Sequence, residues 1–96
     1  MNVRVTLNCK LKPHTLQDLQ PFLKENLPNV RNFAGNIQVN VLLNKEHNEM
    51  LLDEEWQSVE SHQAYLQFIQ NNGVMEQLSH FLDAPPEIKY FHLSEL

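Results

Sequence analysis

Residues 37–57, IQVNVLLNKEHNEMLLDEEWQ, decide the fold because they predict two strands joined by a polar turn. Apolar and polar residues alternate from Ile37 to Leu43, and the alternation resumes from Met50 to Gln57. A period of two residues is typical of strands that bury one face. The polar segment between them, residues 45–48, has an ordinary hairpin length. The stretch therefore predicts an antiparallel hairpin.

Upstream of the hairpin, the chain predicts a strand followed by a long helix. Residues 3–11 alternate strictly between apolar and polar. Leucines then recur at helical spacing over 16–32, and Thr15 is the expected N-cap, with an acidic residue three positions later. Pro21 and Pro28 lie inside this helix. They are seven residues apart and share the side opposite the leucines, where the carbonyls they free can bind water.

Downstream of the hairpin, Ser58 is the expected N-cap of a second amphipathic helix, which Asn-Asn-Gly at 71–73 ends. A short helical segment over 74–82 and a final strand over 88–93 follow. The order β-α-β-β-α-β predicts a single ferredoxin-like α+β domain over 1–96. Its antiparallel four-stranded sheet has the expected order 4-1-3-2, with both helices on one face.

The two faces of this sheet differ in character. The face under the helices is expected to bury the apolar sets Val3/Val5/Leu7, Ile37/Val39/Val41, Met50/Leu52/Trp56 and Ile88/Tyr90. The opposite face is polar except for Leu42, Leu51, Phe91 and Leu93. Two interpretations fit this pattern: a solvated sheet face, and a homodimer interface between two such sheets.

Composition excludes several classes of function. Seven basic residues against twelve acidic ones give a net charge of -5 without a basic cluster, which argues against nucleic acid and anionic membrane surfaces as partners. A single cysteine and the lack of an apolar leader favour a cytoplasmic protein. The histidine spacing predicts no metal site, and the isolated glycines Gly35 and Gly73 predict no nucleotide cofactor.

Among the five histidines, only His62 falls on an apolar helical arc, so it is expected to point between the second helix and the sheet. It is either a structural histidine with a hydrogen-bond partner or a base in a helix–sheet pocket, for which an ordinary pKa near 6.5 suits proton abstraction. Trp56 is expected on the same side, as core or as a pocket wall. Tyr65 and Tyr90 carry hydroxyls that need partners if they are buried.

The run LDEEWQSVESHQAYL, residues 52–66, resembles the signature of the antibiotic biosynthesis monooxygenase family, in which a Glu-x-Trp-x-Ser step precedes a helix that carries a histidine. Segments elsewhere look similar as well: Lys-Pro at 12–13, Phe-Ala-Gly at 33–35 and Ala-Pro-Pro at 84–86. The resemblance implies a homodimer whose sheets pack into a joint α+β barrel, with a pocket in each protomer.

The resemblance also implies oxygenation of a small quinol- or anthrone-like aromatic by O₂, without a cofactor. His62 would then be the catalytic base, Trp56 would stack on the substrate ring, and Tyr65 and Tyr90 would orient its oxygen atoms. A haem-degrading branch of the family uses an asparagine and a histidine at the positions of Leu7 and Leu66 here, so haem is not expected. The alternative function is a non-catalytic homodimeric domain that binds a small hydrophobic ligand.

Overall fold

The computed structural model describes residues 2–96. Its elements are β1 (Val3–Lys10), α1 (Leu16–Arg31), β2 (Asn36–Leu43), β3 (Glu49–Trp56), α2 (Val59–Asn71), α3 (Val74–Ser79) and β4 (Glu87–Phe91). All strand pairs are antiparallel, in the order β2-β3-β1-β4. This is the predicted order read from the other edge, so the ferredoxin-like α+β fold is confirmed.

The hydrophobic core lies between the sheet and the helices. The central strands contribute most of it, because alternate residues of β1 and β3 are buried on this side. The helices add Leu19 and Val30 from α1 and Ile69 from α2. Within residues 2–96, no helix is both long and apolar enough to cross a membrane.

Helix α1 runs unbroken through both of its prolines. Pro21 and Pro28 are exposed, as predicted, while Leu19 and Val30 face the core. Thr15 is the N-cap residue as predicted, but its side chain makes no capping hydrogen bond. Its hydroxyl donates instead to the Lys12 carbonyl at 2.8 Å, so the side chain stabilises the preceding turn.

The predicted burial of Ile37 is also wrong, because its side chain is 46% exposed. Asn36 pairs with Trp56 and Gln38 with Glu55, so Ile37 is the extra residue of a β-bulge. A bulge leaves one residue unpaired and locally disrupts the ladder. Further along the strand, Val39 is buried as predicted.

Candidate active site

A cavity lies between the helices and the sheet, with a volume of about 60 Å³. This is enough room for a few water molecules. Its walls are mostly apolar side chains from the sheet and all three helices, and its polar wall residues are Asn26, Glu54, His62 and Tyr65. The cavity therefore presents a few polar groups in an apolar surrounding, which is the usual character of a small-molecule site.

His62 is placed on the cavity wall by the first turn of α2. Ser58 caps this helix as predicted, since its hydroxyl oxygen accepts a hydrogen bond from the Ser61 backbone N–H at 3.0 Å. The imidazole is 1% exposed. Its Nδ1 shares a hydrogen bond of 2.8 Å with the Tyr90 hydroxyl, and its Nε2 is buried without a partner in the described chain.

Glu54 is the functional candidate that sequence reasoning missed. The alternation of β3 places it on the helix-facing side between Leu52 and Trp56, so a carboxyl group at a core position was the available signal. The side chain is 4% exposed and its Oε1 accepts a hydrogen bond from Trp56 Nε1 at 2.8 Å. The same Oε1 lies 3.9 Å from His62 Nε2.

Burial shifts the pKa values of this pair in opposite directions. It raises the pKa of Glu54 to about 7, an effect that the hydrogen bond from Trp56 partly offsets and the charge of Asp53 reinforces. It lowers the pKa of His62 to about 4, so the expectation of an ordinary imidazole pKa is wrong. Although 3.9 Å is close enough for an ion pair, the favoured state between about pH 4 and pH 7 is a neutral carboxylic acid beside a neutral imidazole.

The four residues proposed from sequence lie together in the structure. The Trp56 ring is 5.4 Å from His62 and 5.5 Å from Tyr65, and the His62 and Tyr90 rings are 5.4 Å apart. Burial raises the pKa of Tyr65 to about 12, helped by the charge of Glu54, so its phenol stays protonated. Among the described residues, His62 and Tyr65 line the cavity. Trp56 and Tyr90 do not line it, but both of their rings pack beside His62.

The other histidines lie elsewhere. His14, His47, His80 and His92 are all exposed, in agreement with the sequence analysis. Over residues 2–96, the structure contains no group of three or more histidine, cysteine or acidic side chains able to hold a metal ion.

The geometry therefore combines a hydrogen-bond acceptor, His62, with a hydrogen-bond donor, Glu54, at one apolar cavity. Pairs of titratable groups whose surroundings push their pKa values apart are typical of acid–base sites. The family model of antibiotic biosynthesis monooxygenases matches residues 2–68, which include both groups. The chain belongs to this monooxygenase family.

Solved structures with this fold have low sequence identity to the chain. A conserved protein from Methanosarcina mazei Go1 is 21% identical, with a TM-score of 0.86 over 98% of this chain and 94% of its own. A candidate antibiotic biosynthesis monooxygenase from Bordetella bronchiseptica is 14% identical, with a TM-score of 0.84 over 97% of each chain. Rv0793 from Mycobacterium tuberculosis is 14% identical, with a TM-score of 0.83 over 100% of this chain and 98% of its own.

These likenesses show the fold, and no curated protein matches the chain. Leu7 and Leu66, at the positions of the polar residues in the haem-degrading branch, both contribute apolar surface to the cavity. Both side chains are hydrocarbons and cannot ligate iron. The acidic and basic groups of the cavity wall are Glu54 and His62.

Proposed function

We propose that this chain is a cofactor-independent monooxygenase that oxygenates a small quinol- or anthrone-like aromatic, with His62 as the base. The observation that carries the proposal is the unpartnered Nε2 of His62, a buried nitrogen on the cavity wall. Buried polar atoms in native proteins almost always have a partner. A substrate hydroxyl would supply the missing one.

Tyr90 supports this role by selecting the imidazole tautomer. If Nδ1–H donates to the Tyr90 oxygen, Nε2 carries the lone pair that accepts the substrate proton. The low pKa of His62 keeps this lone pair free at neutral pH. Once the substrate anion forms beside it, the opposite charge stabilises the imidazolium.

The chemistry needs no bound cofactor, because a deprotonated phenol or enol is rich enough in electrons to react with O₂. The protein has to bind the substrate, remove a proton and stabilise the anion. Tyr65 lines the cavity with a protonated phenol, so it is placed to donate a hydrogen bond to a substrate oxygen. Trp56 is buried beside His62 and Tyr65, where we propose that it contacts the substrate ring, and it donates a hydrogen bond to Glu54.

The size of the cavity favours a small substrate. An engineered cavity of about 150 Å³ binds benzene, whereas this one measures about 60 Å³. A one-ring substrate therefore requires modest displacement of the walls, and a three-ring anthrone requires much more. Met75 and Leu66, both half-buried wall residues, are suited to such displacement, and methionine is especially adaptable.

We further propose that the protein acts as a homodimer joined through the outer face of the sheet. Leu42 and Phe91 on this face are each about half exposed, and Leu93 beyond β4 is almost fully exposed. Large apolar side chains gathered on one face are typical of an interface. A second copy would cover them and extend the small core of a 96-residue chain.

The alternative is a non-catalytic homodimeric domain that binds a small hydrophobic ligand. The specific observation in its favour is the same cavity, since a small space with apolar walls can accept a ligand without chemistry. In that case His62 is a structural residue held by Tyr90.

An oxygen-consumption screen against quinols, hydroxylated naphthalenes and anthrones separates the two functions. We expect wild-type protein to consume O₂ with at least one of them, and His62→Ala to lower the rate by about 100- to 10,000-fold. His80→Ala, which removes an exposed histidine, is the matched control. A blank screen, with His62→Ala lowering only the stability by about 1–3 kcal/mol, would support the binding domain instead.

A further inference from the structure

Glu54 is a buried carboxyl group, and no lysine or arginine within residues 2–96 pairs with it. Trp56 on the same strand donates a hydrogen bond to it, His62 on α2 lies 3.9 Å away, and Tyr65 on α2 lines the same cavity. Burial raises the pKa of the Cys9 thiol on β1, and the charge of Glu54 adds to this effect. Tyr90 on β4 is near enough for the charge of Glu54 to raise the pKa of its phenol. Arg4 does not help to balance this charge, because it binds Asp53 on the other face of the sheet.

Burying a carboxyl group in this way costs free energy unless the group is neutral or paired. The surrounding residues favour the neutral form, since burial raises the pKa of Glu54 to about 7. A carboxyl group with this pKa is about half protonated at neutral pH and can therefore donate a proton or accept one. The cavity is the apolar space that a ligand could enter to receive it, and Glu54 lines the cavity.

Oxygenation by O₂ alone requires such a donor. The substrate anion transfers one electron to O₂, and the two radicals combine to form a carbon–oxygen bond. The peroxide anion then takes back the proton that His62 removed, which gives a substrate hydroperoxide. Breaking its O–O bond expels hydroxide, a poor leaving group, unless an acid protonates the departing oxygen.

We propose that Glu54 is a second catalytic residue of this site, the acid that protonates the departing hydroxide while His62 removes the hydrogen from the peroxide-bearing carbon. The electron pair of that C–H bond becomes the second bond of a new carbonyl, the O–O bond breaks, and the outer oxygen leaves as water. One atom of O₂ is then in the product and the other in water, so no external reductant is consumed. This inference rests on the proposed function.

The short distance between Glu54 and His62 also allows both groups to regain their starting protonation states. After the step, Glu54 is a carboxylate and His62 an imidazolium, and their nearest polar atoms are 3.9 Å apart. The proton can return from Nε2 to the carboxylate across this gap, through the product water where it bridges them. The Trp56 N–H donates to Oε1, which leaves the other carboxyl oxygen free to carry the proton.

Glu54→Gln tests the proposal, with anthrone and 1-naphthol as probes under ¹⁸O₂. Glutamine keeps an oxygen for the Trp56 N–H but has no acidic proton to give. We expect substrate to be deprotonated and oxygenated, with quinone formation lowered at least about 100-fold and labelled organic hydroperoxide accumulating. Glu54→Asp should partly restore the quinone, because it keeps the acid on a shorter side chain. Glu60→Gln, at an exposed carboxyl group on α2, should behave as wild type.

Two outcomes overturn the proposal while the monooxygenase function stands. Wild-type quinone formation by Glu54→Gln, without peroxide, would show that the acid is not needed. Loss of all substrate deprotonation by a folded Glu54→Gln would show that Glu54 only shapes the site. If wild-type protein consumes no O₂ with any quinol, hydroxylated naphthalene or anthrone of the screen, the proposed function fails and this inference fails with it.

Discussion

Asp53 and Glu54 are adjacent acidic residues on β3 that point to opposite faces of the sheet. The Asp53 carboxylate receives two hydrogen bonds of 3.1 Å from Arg4 on the outer face, where water also reaches both side chains. Glu54 is buried on the inner face beside an indole N–H and an imidazole. Two adjacent residues of one strand therefore form a solvated ion pair on one face and a buried carboxyl group with a raised pKa on the other.

The two whole faces differ in the same way. The inner face combines an apolar cavity with a few polar atoms, one of which lacks a partner. The outer face combines charged and amide side chains with exposed apolar groups such as Leu42 and Phe91. We assign chemistry to the inner face and association to the outer face, and three predictions test this division.

The largest effect is expected on the pH dependence of stability, because the contributions of Glu54 and His62 change with pH in opposite directions. The protonated Glu54 stabilises the native state below pH 4.5, and this contribution is lost as the pH rises through about 7. Neutral His62 acts in the opposite sense, since its contribution is present above pH 6.5 and is lost as the pH falls through about 4. The two contributions nearly cancel in the wild type.

Single substitutions should expose each contribution in urea unfolding at fixed protein concentration. As the pH rises from 4.5 to 6.5, the free energy of unfolding of Glu54→Gln should increase by about 1–3 kcal/mol relative to the wild type. Over the same range, that of His62→Gln should decrease by about 1–3 kcal/mol relative to the wild type. Parallel pH profiles for both variants and the wild type would mean that the inner face does not perturb these groups.

The next effect concerns association through the outer face. Phe91→Glu should weaken the dimer at least about tenfold, because it replaces an apolar contact with a charge that must lose its water. Phe68→Glu is a matched control, since Phe68 is 49% exposed and Phe91 is 50% exposed, but Phe68 lies on α2. Sedimentation velocity at micromolar concentration measures the change. A monomeric wild type, or equal effects of the two substitutions, would refute this role of the outer face.

The smallest effect is expected for the ion pair itself. Asp53→Asn should lower the free energy of unfolding by no more than about 1 kcal/mol, because both partners are accessible to water. Thermal unfolding of the variant in low and high salt measures this contribution. A loss of several kcal/mol would show that Asp53 is held in a dry environment, contrary to the contrast with Glu54.

Sequence periodicity predicted the fold well because alternation and helical spacing directly reflect burial. It misplaced Ile37, because a bulge adds a residue without interrupting the apolar pattern on either side. Sequence reasoning located the N-cap residue Thr15 but not the hydrogen bond of its side chain. The hydroxyl donates to the Lys12 carbonyl, which only the three-dimensional turn brings within reach.

The site was harder to predict than the fold. His62 and Tyr90 are 28 residues apart, and their contact depends on β4 lying beside β1 at the edge of the sheet. Alternation placed Glu54 beside Trp56 on the core face, but its importance follows from the His62 nitrogen 3.9 Å away. The low pKa of His62 likewise depends on the depth of burial, which periodicity does not measure.

The inner face is expected to hold an acid with a raised pKa beside a neutral base, and NMR titration of protein labelled at glutamate and histidine measures both groups. Glu54→Gln identifies the Glu54 carboxyl signal by its loss. We expect that carbon to titrate with a pKa of about 7 and the His62 ring nitrogens with a pKa of about 4. Titration at the ordinary pKa values of 4.5 for Glu54 and 6.5 for His62 would show that burial does not shift either group.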